Sequence, residues 1–209
     1  MLGLILKDLY TIKSFGKTII FVLLFFLFFG LLSKDSFLFF SGMCVMIFMM
    51  LTINTFSYDK LAKWENYAHS LPINKDEIVL SKYILSFILC IIGTIIAFIF
   101  NMIHLNLNAS TDTIGTIIIA CGLILCISLF LTSIILPLIF KFGVEKVRII
   151  LIGVYALIFG SITAFVKLGV SLQKETDFIT VAKFLPLIVI ILFVLSYFFS
   201  SKIYRNKEF

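Results

Sequence analysis

The sequence predicts an all-α integral membrane protein, and three observations lead to that fold class. Of its 209 residues, 62% are hydrophobic and only 13% are charged, whereas a typical soluble domain has about 45–50% and about 25%. The mean hydropathy is +1.20, and 25 residues are phenylalanine. Several apolar runs reach roughly 20 residues, the length with which an α-helix spans about 30 Å of hydrocarbon.

Six of these runs predict six transmembrane helices. The runs cover residues 17–33, 37–57, 79–103, 113–140, 147–168 and 183–201. The first run follows three lysines, as in a signal peptide, but the Ser-Lys-Asp-Ser sequence after it offers no A-x-A-like cleavage site, so we predict a membrane span. An amphipathic segment, residues 1–16, precedes this span and is expected at the membrane interface. We expect one transmembrane domain over residues 1–209, with both termini on the same side of the membrane.

The distribution of lysine and arginine predicts the orientation. Residues 34, 167, 174 and 183 are the four lysines on one side, and the other thirteen of the 17 basic residues fall in or beside the termini, residues 58–78 and residues 141–148. Because such an excess marks cytoplasmic segments, we predict that both termini and the 58–78 loop are cytoplasmic. Topology explains this basic excess better than nucleic-acid binding does, since no basic patch lies on a soluble domain.

The residue types that carry chemistry are sparse. The four cysteines fall inside predicted spans without C-x-x-C spacing and are interpreted as packing residues, and the two histidines form no cluster typical of a metal site. The spans are free of acids and bases except near their ends, which argues against a proton relay, an ion-coupled carrier or a membrane hydrolase. We expect no catalytic residue, no metal and no cofactor on this chain.

One short motif resembles a nucleotide site. Residues 15–18, Phe-Gly-Lys-Thr, end like the phosphate-binding pattern G-x-x-x-x-G-K-[ST]. However, Thr11 occupies the first glycine position, and the match runs into a predicted span. The chain is therefore not expected to bind a nucleotide by itself.

Small residues and one proline indicate how the spans pack. Gly93 and Ala97 are four residues apart, as are Gly160 and Ala164, and such pairs let helices approach closely. Packing within the chain, a dimer seam and a translocation path all fit this pattern. Pro137 frees a backbone carbonyl and is expected to bend the fourth span, where the hydroxyl of Thr132 or Ser133 could compensate.

The 58–78 loop has the most informative pattern. Its apolar residues recur every three to four positions and predict one amphipathic helix: Tyr58, Leu61, Ala62, Trp64, Ala68 and Leu71. Pro72 ends this helix. Asn74, with Glu77 three residues later, is a predicted N-cap that begins the helix of the third span. A helix lying on the bilayer and a docking element for a soluble partner both fit, and the mixed charge favours the docking element.

The same loop resembles that of a known family. The matching residues are Tyr58-Asp59-Lys60, Lys63-Trp64, Tyr67-Ala68, Ser70-Leu71-Pro72-Ile73, Ile78-Val79 and Ser81-Lys82-Tyr83. They resemble the loop between the second and third spans in a small subfamily of ABC-2 type transporter permeases, which includes the permeases of phenol-soluble modulin peptide exporters. The likeness extends over nearly the whole chain in length, span number and the amphipathic opening segment.

This resemblance implies a role for the loop. It would be a coupling helix seated in a cleft of a separate ATPase subunit, which binds ATP and Mg, and it would move the second and third spans to open a path between two permeases. The implied contact residues are Asp59, Lys63, Trp64, Glu65, Tyr67 and His69, with Pro72 and Asn74 fixing the angle of the next helix. Lys7 and Lys13 would face lipid phosphates at the inner membrane surface.

Three functions are therefore open. The first is the permease of an ABC exporter for amphipathic or hydrophobic peptides in a bacterial plasma membrane, paired with a second copy or a paralogue. The second is a permease of the same fold for a drug or a lipid. The third is a membrane anchor that docks a soluble partner and transports nothing.

Overall fold

The structure is a computed structural model that describes residues 2–32, 37–68, 74–108, 114–150, 153 and 175–206. Within these residues the regular structure is helical, with no strand. The helices are α1 (Leu2–Ser14), α2 (Gly16–Leu32), α3 (Phe37–Leu61), α4 (Trp64–Ala68), α5 (Lys75–Asn108), α6 (Ile114–Phe142), α7 (residues 144–150) and α8 (Glu175–Arg205).

Four of these helices contain segments that are long and apolar enough to cross a membrane. The segments are Ser41–Leu61, Lys75–Asn106, Ile114–Phe142 and Leu185–Arg205, and they overlap the predicted runs 37–57, 79–103, 113–140 and 183–201. A fifth span results if α1 and α2 are counted together. The predicted span over residues 147–168 lies mostly outside the described residues, so the total of six stays a prediction.

The chain bends between α1 and α2. Their axes meet at 62°, and Phe15 occupies the break, where its amide donates to the Ile12 carbonyl at 2.9 Å. The Phe15 ring lies 5.1 Å from the ring of Tyr58, near the end of α3. The amphipathic opening segment is thus a separate helix, held at an angle to the first apolar run.

Helices α3 and α5 approach closely in the core. Gly93 makes this approach possible, because a Cβ atom placed on it would lie 3.1 Å from the Cβ atom of Phe48. One turn further along α5, the buried Ala97 packs with Cys44 and Val45 of α3. The Gly93–Ala97 pair therefore serves packing within the chain.

Helices α6 and α8 are joined where Pro137 interrupts the hydrogen bonds of α6. Proline has no amide hydrogen, so the carbonyl of Ser133, four residues earlier, loses its partner in the helix. The hydroxyl of Ser196 on α8 donates to that carbonyl at 2.5 Å. The hydroxyls of Thr132 and Ser133 instead bond to carbonyls three residues before them. The compensation thus comes from α8, and not from Thr132 or Ser133 as the sequence suggested.

A chain of hydroxyl groups extends this junction to α5. The Tyr83 hydroxyl lies 2.6 Å from the Ser196 hydroxyl and 2.7 Å from the Ser200 hydroxyl. Because Ser196 uses its hydrogen on the Ser133 carbonyl, Tyr83 must donate to Ser196 and Ser200 must donate to Tyr83. Three helices are therefore joined by a fully ordered set of buried hydrogen bonds.

Candidate functional site at the basic end of the bundle

Contacts gather distant parts of the sequence at one end of the bundle. Leu4 of α1, Ala68 of α4 and Tyr204 of α8 belong to one buried apolar cluster. The same end contains hydrogen-bonded or ion-paired basic residues from five helices: Lys7, Lys60, Lys82, Arg148 and Arg205. We call it the basic end.

Four charged side chains meet at the centre of the basic end. Lys82 of α5 lies 2.9 Å from the carboxylate of Asp8 on α1 and 2.5 Å from the carboxylate of Asp59 on α3. Lys7 lies 2.5 Å from the other oxygen of Asp59 and 3.3 Å from Asp8. We call these four residues the ion quartet. With two positive and two negative charges it is neutral, and it joins three helices.

Two members of the ion quartet, Asp8 of α1 and Lys82 of α5, are shielded from solvent. Asp8 is 1% exposed and Lys82 is 3% exposed, and Lys82 also donates to the hydroxyl of Thr55 at 3.3 Å. Ionisable groups are costly to bury, and removing one partner of a buried pair typically costs about 3–5 kcal/mol because a charge is left uncompensated. We therefore expect the four groups to hold their arrangement together.

Aromatic rings extend the quartet to α4. The ammonium of Lys7 lies over the ring of Trp64, 4.0 Å from its centroid, and that of Lys82 lies 4.8 Å from the ring of Phe56. A cation over an aromatic face is attracted by the ring quadrupole. The start of α4 is therefore fixed to the same charges that join α1, α3 and α5.

The segment between α3 and α5 differs from the predicted single helix. α3 continues to Leu61, and its last turn closes with the Ala62 amide on the Tyr58 carbonyl at 2.8 Å. Lys63 then adopts a left-handed conformation with φ of 50°, which ends the helix. α4 begins at Trp64, so the break falls between α3 and α4, well before Pro72.

The short helix α4 has an inner and an outer side. Trp64 and Ala68 pack on the buried cluster of the basic end, and Ala68 is only 2% exposed. Tyr67 is 58% exposed, and Leu61 just before the break is 77% exposed. The segment thus presents large side chains to its surroundings from a fixed backbone.

The predicted site residues have different positions in the structure. Asp59 belongs to the ion quartet, Trp64 contacts it, Lys63 forms the turn and Tyr67 faces outward. Asn74 directly precedes α5, and its carbonyl accepts from the Glu77 amide at 3.0 Å, as expected of a helix start. The side chain of Glu65, together with His69 and Pro72, lies outside the described residues. The ATPase contacts stay predictions.

The two residues predicted to face lipid phosphates also differ from each other. Lys13 is exposed, whereas the ammonium of Lys7 is directed to Asp59 and to the Trp64 ring. An interaction with phosphates is therefore not needed to account for the position of Lys7.

Sequence reasoning missed Asp8 and Lys82 as members of a site. A signal for Lys82 was present, because it falls inside the predicted span 79–103, and a cation at that depth requires a counterion. Asp8 is the first acid of the sequence and the only one before residue 35. The pairing itself could not be read from the sequence, since 74 positions separate the two residues.

A second set of contacts ties α3 to α7. Lys60 lies 2.6 Å from Glu145, and Arg148 donates to the hydroxyl of Ser57 at 2.9 Å. The hydrogen bond from Lys60 holds the pKa of the Glu145 carboxyl below its usual range. Both members of the Lys60–Glu145 pair are well exposed, so its contribution to stability is expected to be small.

A third set ties the start of α5 to the end of α8. Arg205 donates to both carboxylate oxygens of Asp76, and Ser201 donates to the same carboxylate. The ammonium of Lys75 donates to the carbonyl of Arg205 at 3.2 Å. Helix α8 is therefore fixed to the first turn of α5.

A cavity of about 360 Å³ opens beside the ion quartet. Its walls combine charged side chains near the end of α3 and on α5 with apolar side chains of α3 to α8: Phe56, Asp59, Lys60, Lys63, Trp64, Ile78, Lys82, Ile139, Phe140, Gly143, Val144 and Tyr204. A cavity therefore lies between the 58–68 segment and the helices against which it packs.

Comparison with known proteins identifies the family. The family model described as ABC-2 family transporter protein matches residues 3–205. No curated protein and no solved structure is significantly similar to the chain. Members of this family are the membrane components of ABC transporters and have no nucleotide-binding site of their own, so an ABC ATPase partner is implied. The chain therefore belongs to the ABC-2 transporter family and is a multi-pass membrane permease of an ABC transporter.

Proposed function

We propose that the chain is the permease subunit of an ATP-driven exporter and that residues 58–78 couple it to a separate ATPase subunit. The observation that supports this proposal best is the way in which α4 is attached to the bundle. Its start is fixed to the ion quartet through Trp64, while Tyr67 and the preceding Leu61 are directed outward. A coupling element needs both properties, because it must contact a partner and pass on the partner's displacement.

The alternative in which this segment only lies on the bilayer is less consistent with its contacts. An interfacial helix buries its apolar face among lipid headgroups and acyl chains. Here Trp64 and Ala68 pack on the buried cluster of the basic end instead. The apolar side of α4 is therefore used within the protein, which leaves the outer side for a soluble partner.

In the proposed mechanism, the segment passes its movement to the two helices that it connects. On the N-terminal side the segment continues into α3 through Asp59, and on the C-terminal side it leads into α5, which begins after Asn74. When two ATPase subunits close on ATP, both helices are displaced together. The path opens at the interface with a second permease, either another copy of this chain or a paralogue.

The proposed orientation and cargo rest on the sequence. The basic end is cytoplasmic by the lysine and arginine excess, which places the outer side of α4 where an ATPase can reach it. The cargo is an amphipathic or hydrophobic peptide, because the 58–83 region resembles the corresponding region of permeases of phenol-soluble modulin exporters. A drug or a lipid is the alternative cargo.

The test begins with a tagged chain purified together with its ATPase and reconstituted into vesicles. Uptake of a fluorescein-labelled amphipathic α-helical peptide should require ATP and this subunit, whereas uptake that proceeds without the subunit contradicts the proposal. If only a drug or lipid probe is transported in the presence of ATP, the export function stands and the peptide cargo is wrong.

The docking surface is tested with Tyr67→Ala. Because a large exposed side chain at the centre of an interface contributes strongly to binding, we expect ATPase binding to weaken by about tenfold or more. Tyr10→Ala on α1 is the matched control, since Tyr10 is 67% exposed and Tyr67 is 58% exposed. If both variants bind the ATPase equally well, α4 is not part of the interface.

A further inference from the structure

We propose that Asp8 and Lys82 are positioning residues that lock the coupling segment to α1 as well as to α5. This inference rests on the proposed function, in which residues 58–78 receive the movement of the ATPase. It adds a second route, through the N-terminal helix, by which that movement reaches the membrane. In this role Lys82 acts on Asp59 directly, and Asp8 acts through Lys82.

The first argument is the number of contacts on Asp59. One carboxylate oxygen faces Lys7 of α1 and the other faces Lys82 of α5, each at 2.5 Å. Lys82 also faces Asp8 of α1 at 2.9 Å. Both carboxylate oxygens of Asp59 are therefore held by side chains of the other two helices. A displacement of α3 alone would separate opposite charges in a site where water is largely excluded, which is unfavourable.

The second argument is the orientation of α1. Its side toward the protein contains the buried Leu4 and Asp8, whereas its opposite side exposes Leu6, Leu9 and Tyr10. The exposed side is apolar, as expected for contact with lipid. Lys7 attaches α1 directly to Asp59 of the coupling segment, and Asp8 attaches α1 to Lys82, which holds the other oxygen of Asp59. Through Lys82, Asp8 therefore adds a second link between this helix and the segment that is proposed to contact the ATPase.

The third argument is the continuation of α1 into α2. The two helices meet at 62°, and Phe15 at the bend packs on Tyr58 of α3 with 5.1 Å between ring centroids. A rotation of α1 about the quartet therefore changes the direction of the first apolar run. The geometry assigns Asp8 and Lys82 to the transmission of movement toward α2, and not only to the stability of the bundle.

The test is a double-mutant cycle in the reconstituted complex with its ATPase. Asp8→Asn, Lys82→Met and the double variant are compared with the unchanged chain, and the peptide transported per ATP hydrolysed is measured for the fluorescein-labelled amphipathic peptide. Each single variant should lower this ratio by about tenfold, the size of a typical coupling between sites. The double variant should lose no more than either single variant, because the two residues act through one contact.

A spectroscopic readout separates positioning from general stability. Trp64 is the only tryptophan, and its ring lies under the ammonium of Lys7. Its emission should change in both single variants, since an unbalanced quartet redistributes Lys7. Glu145→Gln is the control for loss of a surface ion pair and should change neither the emission nor the transport ratio.

Each outcome decides between the two proposals. If the unchanged complex shows no ATP-dependent transport, the proposed function fails. If it transports and the single variants keep its ratio, or if the losses multiply in the double variant, the positioning role is wrong. If the variants that lack a charge do not assemble, Thr55→Val provides a milder change, because it removes only the hydroxyl beside Lys82. It should lower the ratio by roughly threefold. An unchanged ratio in Thr55→Val would then overturn the inference.

Discussion

Replacing Gly93 by alanine should destabilise the bundle, although alanine is the better helix former. The new Cβ atom would lie 3.1 Å from the Cβ atom of Phe48 and 3.2 Å from two atoms of its ring. The Cβ atom of Phe48 moves only with the backbone of α3, so the contact can be relieved only by separating α3 from α5. Overpacking of this kind costs about 1–3 kcal/mol, which offsets or exceeds the gain of about 1 kcal/mol in helix propensity.

The matched control is Gly122→Ala on α6, where the added methyl group meets nothing within 4 Å. Gly122→Ala gains the same helix propensity as Gly93→Ala but makes no close contact. The difference in stability between the two variants therefore gives the packing cost. Thermal unfolding in detergent should place Gly93→Ala below Gly122→Ala by about 2–4 °C per kcal/mol. Equal midpoints for the two variants would mean that α3 and α5 are not in close contact at this position.

Two further predictions concern the α6–α8 junction and the orientation. Ser196→Ala should destabilise the protein by roughly 0.6–2 kcal/mol. The loss should be smaller in a Pro137→Ala background, because the amide of residue 137 can then donate to the Ser133 carbonyl within α6. Thermal unfolding of the unchanged chain, both single variants and the double variant tests this, and an equal loss in both backgrounds would contradict it. Tyr67→Cys should react with a membrane-impermeant maleimide only from the cytoplasmic side, against a low background because the four native cysteines are buried. Labelling from the outside would mean that the orientation is opposite to the proposed one.

The helices were largely predictable because their signal is local. Hydrophobic length predicts a span without knowledge of its neighbours, so α3, α5, α6 and α8 overlap four of the six predicted runs. The start of α5 was also predictable, since Asn74 and Glu77 form a local N-cap pattern. The end of α3 was not, because periodicity suggested one continuous helix from Tyr58. The left-handed turn at Lys63 has no glycine or asparagine to indicate it.

The candidate site was only half predictable, since its partners are distant in sequence. The composition of residues 58–78 indicated a special role and directed attention to Asp59 and Trp64. It could not indicate that Asp59 shares its two oxygens between Lys7 and Lys82. Counting Lys82 only as a topological charge concealed that it needs a counterion. A predicted span that contains a lysine is therefore better treated as a prediction of an acid elsewhere.

The energetics of the ion quartet indicate why such an arrangement suits a transporter. A buried ion pair contributes little net stability compared with apolar residues of the same volume, because desolvation offsets the attraction. An apolar contact also tolerates sliding, whereas displaced charges lose their partners at once. The quartet joins residues 8, 59 and 82 from three helices and gives them one favoured arrangement. We infer that its value lies in this defined geometry, which lets a displacement applied at α4 move α1, α3 and α5 as one unit.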